Sequence, residues 1–86
     1  MHDLYAAQDI VEAANKTAKK KGLSKITKLV IELGVIVDHG DEIKETNLKF
    51  NIKMLAQHTL AQGAKVVVIK VKGQQCVLKE IEGVKK

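Results

Sequence analysis

The 86-residue sequence has no tryptophan and no arginine, and it contains one cysteine, one tyrosine and one phenylalanine. The lone Cys76 excludes an internal disulfide and a zinc site built from four thiolates of this chain. No apolar run is long enough to span a bilayer, and no charged-then-apolar leader precedes a small-residue cleavage site. We therefore expect a cytoplasmic protein that is neither secreted nor inserted in a membrane.

The absence of arginine also bears on the positive charge of the chain. The formal net charge is +5, and all fifteen basic residues are lysine. Lysine neutralises phosphate but lacks the planar fork that reads guanine or clamps phosphate. Two aromatic side chains offer little surface for stacking bases. Lysines such as those at 19–21 are interpreted as a solvated face, and binding to nucleic acid ranks low among the interpretations.

The length allows one small domain, which we assign to residues 1–86. Apolar residues recur at helical spacing from Asp3 to about Lys21. Asp3 fits an N-cap, and Gly22 can close the helix in the left-handed conformation. One face of the helix carries the apolar residues Leu4, Ala7, Val11, Ala14 and Ala18, with Ile10 beside them.

The remaining pattern predicts a strand, a second helix and two further strands. Leu29, Ile31 and Leu33 share one face of the first strand. The second helix buries Leu48, Ile52 and Leu55, with Ile43, Phe50 and Met54 near that stripe. The predicted bounds are strand 26–33, helix 41 or 45 to 57, strand 64–71, a tight reversal at Lys72-Gly73 and strand 75–81. The order α-β-α-β-β predicts an α+β domain, a three-stranded sheet packed with two helices.

Several polar residues have ordinary structural interpretations. His39 lies in a turn-forming Asp-His-Gly-Asp segment, where an accessory metal role is the less favoured alternative. His58 falls where the second helix should stop. Cys76 alternates with Leu78 and is interpreted as a small buried apolar residue. Glu80 and Glu82 are predicted to be exposed positions of the third strand.

The first three residues form a more distinctive group. A helix directly after Met1-His2-Asp3 places an α-amino group, an imidazole, two backbone amides and a carboxylate within one turn. Nitrogen donors packed this closely suit the square-planar geometry of Ni(II) or Cu(II). A histidine at position two is weak evidence by itself, because it also fits an exposed polar residue that starts a helix.

The whole chain resembles the HypA family of hydrogenase nickel-incorporation proteins, and the matching segments occur in the family's order. The start Met1-His2-Asp3-Leu4 resembles the family's Met-His-Glu. The strand from Ile26 to Gly34 is similar to the family's first strand. Thr59-Leu60-Ala61-Gln62-Gly63-Ala64 resembles the family's Thr-x-Ala-Glu-Gly-Ala, and the segment from Gly73 to Glu82 resembles its closing strand.

The sequence also departs from the family. Family members carry two Cys-x-x-Cys pairs that form a structural zinc domain between the second and third strands. Here a short hairpin near Lys72-Gly73 takes that place, so no zinc site is expected. Asp3 stands where glutamate is usual, and Gly34-Val35-Ile36 replaces Gly-Glu-Leu.

The resemblance implies a nickel metallochaperone and not an enzyme. By family analogy, Met1, His2 and Asp3 hold Ni(II) for delivery during maturation of a nickel enzyme such as [NiFe] hydrogenase. The implied partners are a nickel-delivering maturation GTPase and the hydrogenase large subunit, or urease-maturation components. The alternative is a protein-interaction adaptor that kept the fold but lost metal delivery.

Overall fold

The computed structural model describes residues 3–34, 44–73 and 75–85, and it confirms the predicted α-β-α-β-β order. The predicted turn residue His39 lies outside these ranges. Within them, neither helix combines the length and the apolar character needed to cross a membrane. The elements are α1 (Asp3–Lys21), β1 (Leu23–Gly34), α2 (Glu45–Leu55), β2 (Lys65–Val71) and β3 (Cys76–Lys85).

The sheet is built around β1, its longest strand. Strand β2 pairs with one edge of β1 in parallel, and β3 pairs with the other edge in antiparallel fashion. As predicted, Leu29, Ile31 and Leu33 form a buried row on β1. Helix α1 packs on β1 and β3, and α2 packs on β2 and against α1. The flanking strands add to the same core through Val66, Val68, Leu78 and Ile81.

The predicted hairpin between the second and third strands is wrong in its pairing. The connection after Val71 is short, but β2 and β3 lie on opposite sides of β1 and do not pair with each other. The central strand of a three-stranded sheet has a neighbour on each edge. Strand β1 takes this position and is the most buried of the three. The chain therefore crosses over the end of β1. Two strand spacings amount to about 10 Å, which about four residues can span.

Gly34 makes this crossing possible. Its backbone N–H donates to the carbonyl oxygen of Gln75, on the far side of the crossing. A Cβ at this position would overlap the carbonyl oxygen of Gly73 and lie 2.8 Å from the backbone nitrogen of Gln75. Only glycine therefore lets the connection pass so close to the end of the strand.

Helix α1 reaches the core through small side chains and runs opposite to β1. Gly22, with φ of 70°, is the only residue between the two elements and reverses the chain as predicted. The helix includes Asp3 as its first residue, so Asp3 is not the N-cap that the sequence suggested. The buried face consists of Ala6, Ala7, Ile10, Val11, Ala14 and Ala18.

Helix α2 is shorter than the longest predicted span, and only part of its predicted face is buried. Leu48 and Ile52 are fully buried, and Leu55 packs against the core. Phe50 and Met54, which the sequence placed near that stripe, are instead 66% and 45% exposed. A two-residue step along a helix rotates the side chain by about 200°, so Phe50 points away from both Leu48 and Ile52.

The segment between α2 and β2 contains the motif Thr59 to Ala64, and several of its residues have structural roles. The Thr59 hydroxyl donates to the carbonyl oxygen of Ala56 (2.7 Å) and accepts from the N–H of Ala61 (3.1 Å). Ala61 and Ala64 are buried, and Gly63 has φ of 78°. These contacts fold the segment into a series of turns.

Leu60 links this segment to two other elements through its main chain. Its N–H donates to Asn15 Oδ1 of α1 (3.1 Å), and its carbonyl oxygen accepts from the N–H of Ile26 in β1 (2.8 Å). The Asn15 side chain also donates from Nδ2 to the carbonyl oxygen of Val11 (2.9 Å). Asn15 therefore fixes the position of α1 relative to the sheet.

Replacing Gly34 with Ala should destabilise the fold more than the same change at Gly22. The new methyl group at position 34 meets backbone atoms that can give way only if the crossing moves, at a cost of about 3 kcal/mol. Gly22→Ala meets no atom within 4 Å and costs about 1 kcal/mol for the left-handed backbone. Urea unfolding followed by circular dichroism measures both. Equal stabilities would contradict the close crossing.

Asn15→Leu should lower the free energy of unfolding by about 1–3 kcal/mol, because the half-buried N–H of Leu60 loses its acceptor. Asn15→Asp keeps an oxygen in that place and is the matched control. Hydrogen exchange should show faster exchange of the Leu60 amide in Asn15→Leu than in Asn15→Asp. Unchanged protection of that amide in both variants would refute the link.

Candidate metal centre

The predicted metal ligands Met1, His2 and Asp3 lie at and before the first residue of α1. Met1 and His2 are outside the described residues, and Asp3 is described by its backbone alone. The structure defines the helix that follows Met1 and His2. This helix, α1, is 19 residues long and begins at Asp3.

The backbone amide of Asp3 is suited to metal binding because the helix does not depend on it. The first four N–H groups of an α-helix have no acceptor within the helix. Asp3 is the first residue of α1, so loss of its amide proton breaks no hydrogen bond within the helix. A square-planar site that uses this nitrogen is therefore compatible with an intact α1.

The helix macrodipole favours the deprotonated form of such a site. The N-terminal end of a helix carries about half a positive charge, which stabilises anionic groups nearby. Two deprotonated amides would balance the charge of one divalent ion, so the dipole would not repel the complex. An isolated divalent cation without amide ligands would find the same position unfavourable.

The packing of α1 fixes the location of this end in the molecule. The helix is held by its buried alanine face and by Asn15. Because α1 runs opposite to β1, its first turn lies toward the end of the sheet where β1 finishes at Gly34. The crossing between β2 and β3 passes over that same end. The first turn of α1 and this crossing therefore lie toward the same end of the fold.

The other metal-binding residue types do not assemble into a second site. Across residues 3–34, 44–73 and 75–85, no three histidine, cysteine, aspartate or glutamate side chains come close enough to hold an ion. His58 follows the end of α2 with φ of 66°, and its N–H donates to Gln62 Oε1 (2.9 Å). Its predicted position after the second helix is confirmed.

Cys76 and the strand carboxylates also match their structural interpretations. Cys76 is half-buried and packs against the apolar core together with Leu78. Glu80 and Glu82 are exposed, as predicted. Glu82 pairs with Lys28 at 3.4 Å, and both side chains are well exposed, so this ion pair contributes little to stability.

Comparison with known proteins extends over nearly the whole chain. The family described as "Hydrogenase/urease nickel incorporation, metallochaperone, hypA" matches residues 1–80. Hydrogenase maturation factor HypA of Legionella pneumophila (strain Lens) is 30% identical over 74 residues, which are 86% of this chain and 62% of that protein. HypA of Psychromonas ingrahamii is 32% identical over 68 residues, which are 79% of this chain and 56% of that protein.

The fold agrees with a solved structure of the same family. The solution structure of the Ni metallochaperone HypA from Helicobacter pylori superposes with a TM-score of 0.77 at 11% identity, covering 100% of both chains. The chain spans about three fifths of the length of the curated relatives it matches. The match to the family profile nevertheless begins at residue 1 and includes the N-terminal motif. The chain belongs to the HypA family of hydrogenase/urease nickel-incorporation metallochaperones.

Proposed function

We propose that this chain binds Ni(II) at its N-terminus and delivers it during maturation of a nickel enzyme such as [NiFe] hydrogenase. The donors are the Met1 amine, the His2 imidazole and the backbone nitrogens of His2 and Asp3, with the Asp3 carboxylate beside them. Nickel is the cargo, and the chain itself carries out no catalysis.

One observation carries this proposal: the family match includes the residues at which α1 begins. The match to the nickel-incorporation family includes residues 1–3, and the helix begins at Asp3. The helix start supports the proposal because the first amides of α1, that of Asp3 among them, are not needed for hydrogen bonds within the helix. A site at a chain end is also open to a recipient, which transfer of the ion requires.

The proposed partners follow from the family's role in nickel incorporation into hydrogenase and urease. They are a maturation GTPase that delivers nickel and the large subunit of a hydrogenase, or the corresponding urease-maturation components. The ion passes between them by ligand exchange. No covalent bond of the protein changes in this step.

His2→Ala should abolish tight nickel binding and leave the fold unchanged, because one of four in-plane donors is lost while α1 keeps its packing. Adding one glycine before Met1 should have the same effect, since it moves the α-amino group out of the chelate. Nickel titration of an untagged protein that begins at Met1, followed by visible absorbance, measures both.

His58→Ala is the matched control, because it removes an exposed imidazole from the turn after α2. It should bind nickel as the unmodified protein does. If His2→Ala retains tight binding while His58→Ala loses it, the N-terminal site is wrong. If the unmodified protein binds no nickel, the adaptor that lost metal delivery becomes the better description.

Nickel affinity should fall across the whole range from pH 8 to pH 5.5, and more steeply toward its acid end. Binding releases the protons of the two backbone amides at every pH in this range. It also releases a proton from the α-amino group below about pH 8 and from the imidazole below about pH 6.5, the ordinary values of these groups. Each proton released lowers the affinity by about tenfold per pH unit. Isothermal titration between pH 8 and pH 5.5 measures this. A flat profile over that range would point to carboxylate ligands instead.

A further inference from the structure

The excess positive charge of this chain is concentrated in one part of the fold. Residues 44–73 contain six lysines and one acidic residue, Glu45, a formal charge of +5. The whole chain also has a formal net charge of +5, so all other residues together are neutral. Residues 44–73 consist of α2, the turns that follow it and β2, and α2 packs beside β2. The excess charge therefore belongs to α2, the turns that follow it and the edge strand beside it.

The same part of the fold carries the most exposed large apolar residue of the described chain. Phe50 is 66% exposed, and Met54, one helical turn further, is 45% exposed. An exposed phenylalanine next to a methionine contradicts the amphipathic pattern that the rest of α2 follows. Such local conflicts concentrate at functional surfaces, and aromatic residues and methionine are enriched where proteins bind each other.

The flanks of this apolar pair differ from each other. Lys49 and Lys53, themselves one turn apart, lie along one side of the Phe50–Met54 stripe. Asn47 and Asn51 lie along the other side. The face thus presents an apolar ridge with cations on one flank and neutral hydrogen-bonding groups on the other. We call this face, Asn47 to Met54, the α2 face.

We propose that the α2 face is a docking surface for an acidic amphipathic helix of another protein. Its apolar side chains would pack on Phe50 and Met54, and its carboxylates would lie beside Lys49 and Lys53. Lys70 shares the face of β2 on which Val66 and Val68 join the core, and its charge would extend the attraction and speed encounter with an acidic partner. Lys65 lies on the opposite face of the strand.

The chemistry of the face favours an acidic protein over nucleic acid or a lipid surface. It has no arginine to bind phosphate bidentately, and its single aromatic ring cannot stack successive bases. A helix of 11 residues with two exposed apolar side chains also buries little area in a bilayer. A helix-on-helix contact uses both features of the face, the ridge and the charged flank.

The test uses the full chain labelled with 15N and a synthetic peptide of about 18 residues, made of glutamate with leucine at helical spacing. Addition of the peptide should shift the amide resonances of α2 and its neighbours in β2. The same peptide with glutamine in place of glutamate should bind several-fold more weakly, because the charge attraction is lost. Raising the salt concentration should weaken binding of the acidic peptide only.

Variants of the protein separate the two features of the α2 face. Phe50→Ser should weaken binding about tenfold, as expected for a central anchor. Val84→Ser is its matched control, because Val84 is also exposed (54%) but lies on β3. Lys49→Gln with Lys53→Gln should weaken binding several-fold, whereas Lys19→Gln with Lys20→Gln removes the same charge from α1 and should leave it within about twofold.

Clear outcomes would overturn the proposal. The first is an unchanged affinity for the acidic peptide in Phe50→Ser, and the second is a set of peptide-induced shifts confined to α1. The third is that a random oligonucleotide or phosphatidylserine vesicles bind more tightly than the peptide and lose this binding in the α2 variants. Unfolding midpoints of all variants should match the unmodified protein, because the changed side chains are at the surface. His2→Ala should bind the peptide normally, so failure of the nickel site and failure of this surface are distinguishable.

Discussion

The fold depends on the burial of β1 between two neighbouring strands and beneath α1. Its row of Leu29, Ile31 and Leu33 belongs to one apolar core to which both helices and the flanking strands contribute. Burial of three such side chains contributes about 2 kcal/mol each. Because both edges of β1 are occupied, β2 and β3 cannot pair, and the chain must cross its end. The glycine at position 34 and the direction of α1 are consequences of that arrangement.

The proposed nickel site adjoins an element with a defined place in the fold. Helix α1 is fixed along its length by alanines that allow close packing and by the Asn15 link to Leu60. A transfer site requires donors that are arranged for one geometry and can still be reached by a recipient.

The proposed nickel site and the α2 face consist of different kinds of residue. The N-terminal donors are interpreted through chemistry, because amine, imidazole and amide nitrogens suit Ni(II). The α2 face is interpreted as a binding surface because Phe50, an apolar residue, lies on the exposed side of the helix, opposite the buried Leu48 and Ile52. One surface would handle the cargo and the other a protein. They share no residue, so each can be changed without altering the other.

The motif from Thr59 to Ala64 shows how a resemblance can be specific and still structural. Its hydroxyl, its small residues and its glycine shape a series of turns, and Leu60 ties them to α1 and β1. Its residues therefore have structural roles in this fold. It carries no part of the proposed metal chemistry.

The sequence by itself determined the order of elements, the buried row of β1 and the reversal at Gly22, since these follow from local periodicity and from the freedom of glycine. It also pointed to Met1, His2 and Asp3, which depend on donor chemistry and on resemblance, and not on tertiary contacts. Only the tertiary structure decided that β2 and β3 flank β1, because a short connection fits a hairpin and a crossing equally well. It also decided that Phe50 faces solvent, because a helix of 11 residues with apolar residues on two faces does not reveal which face the sheet will cover.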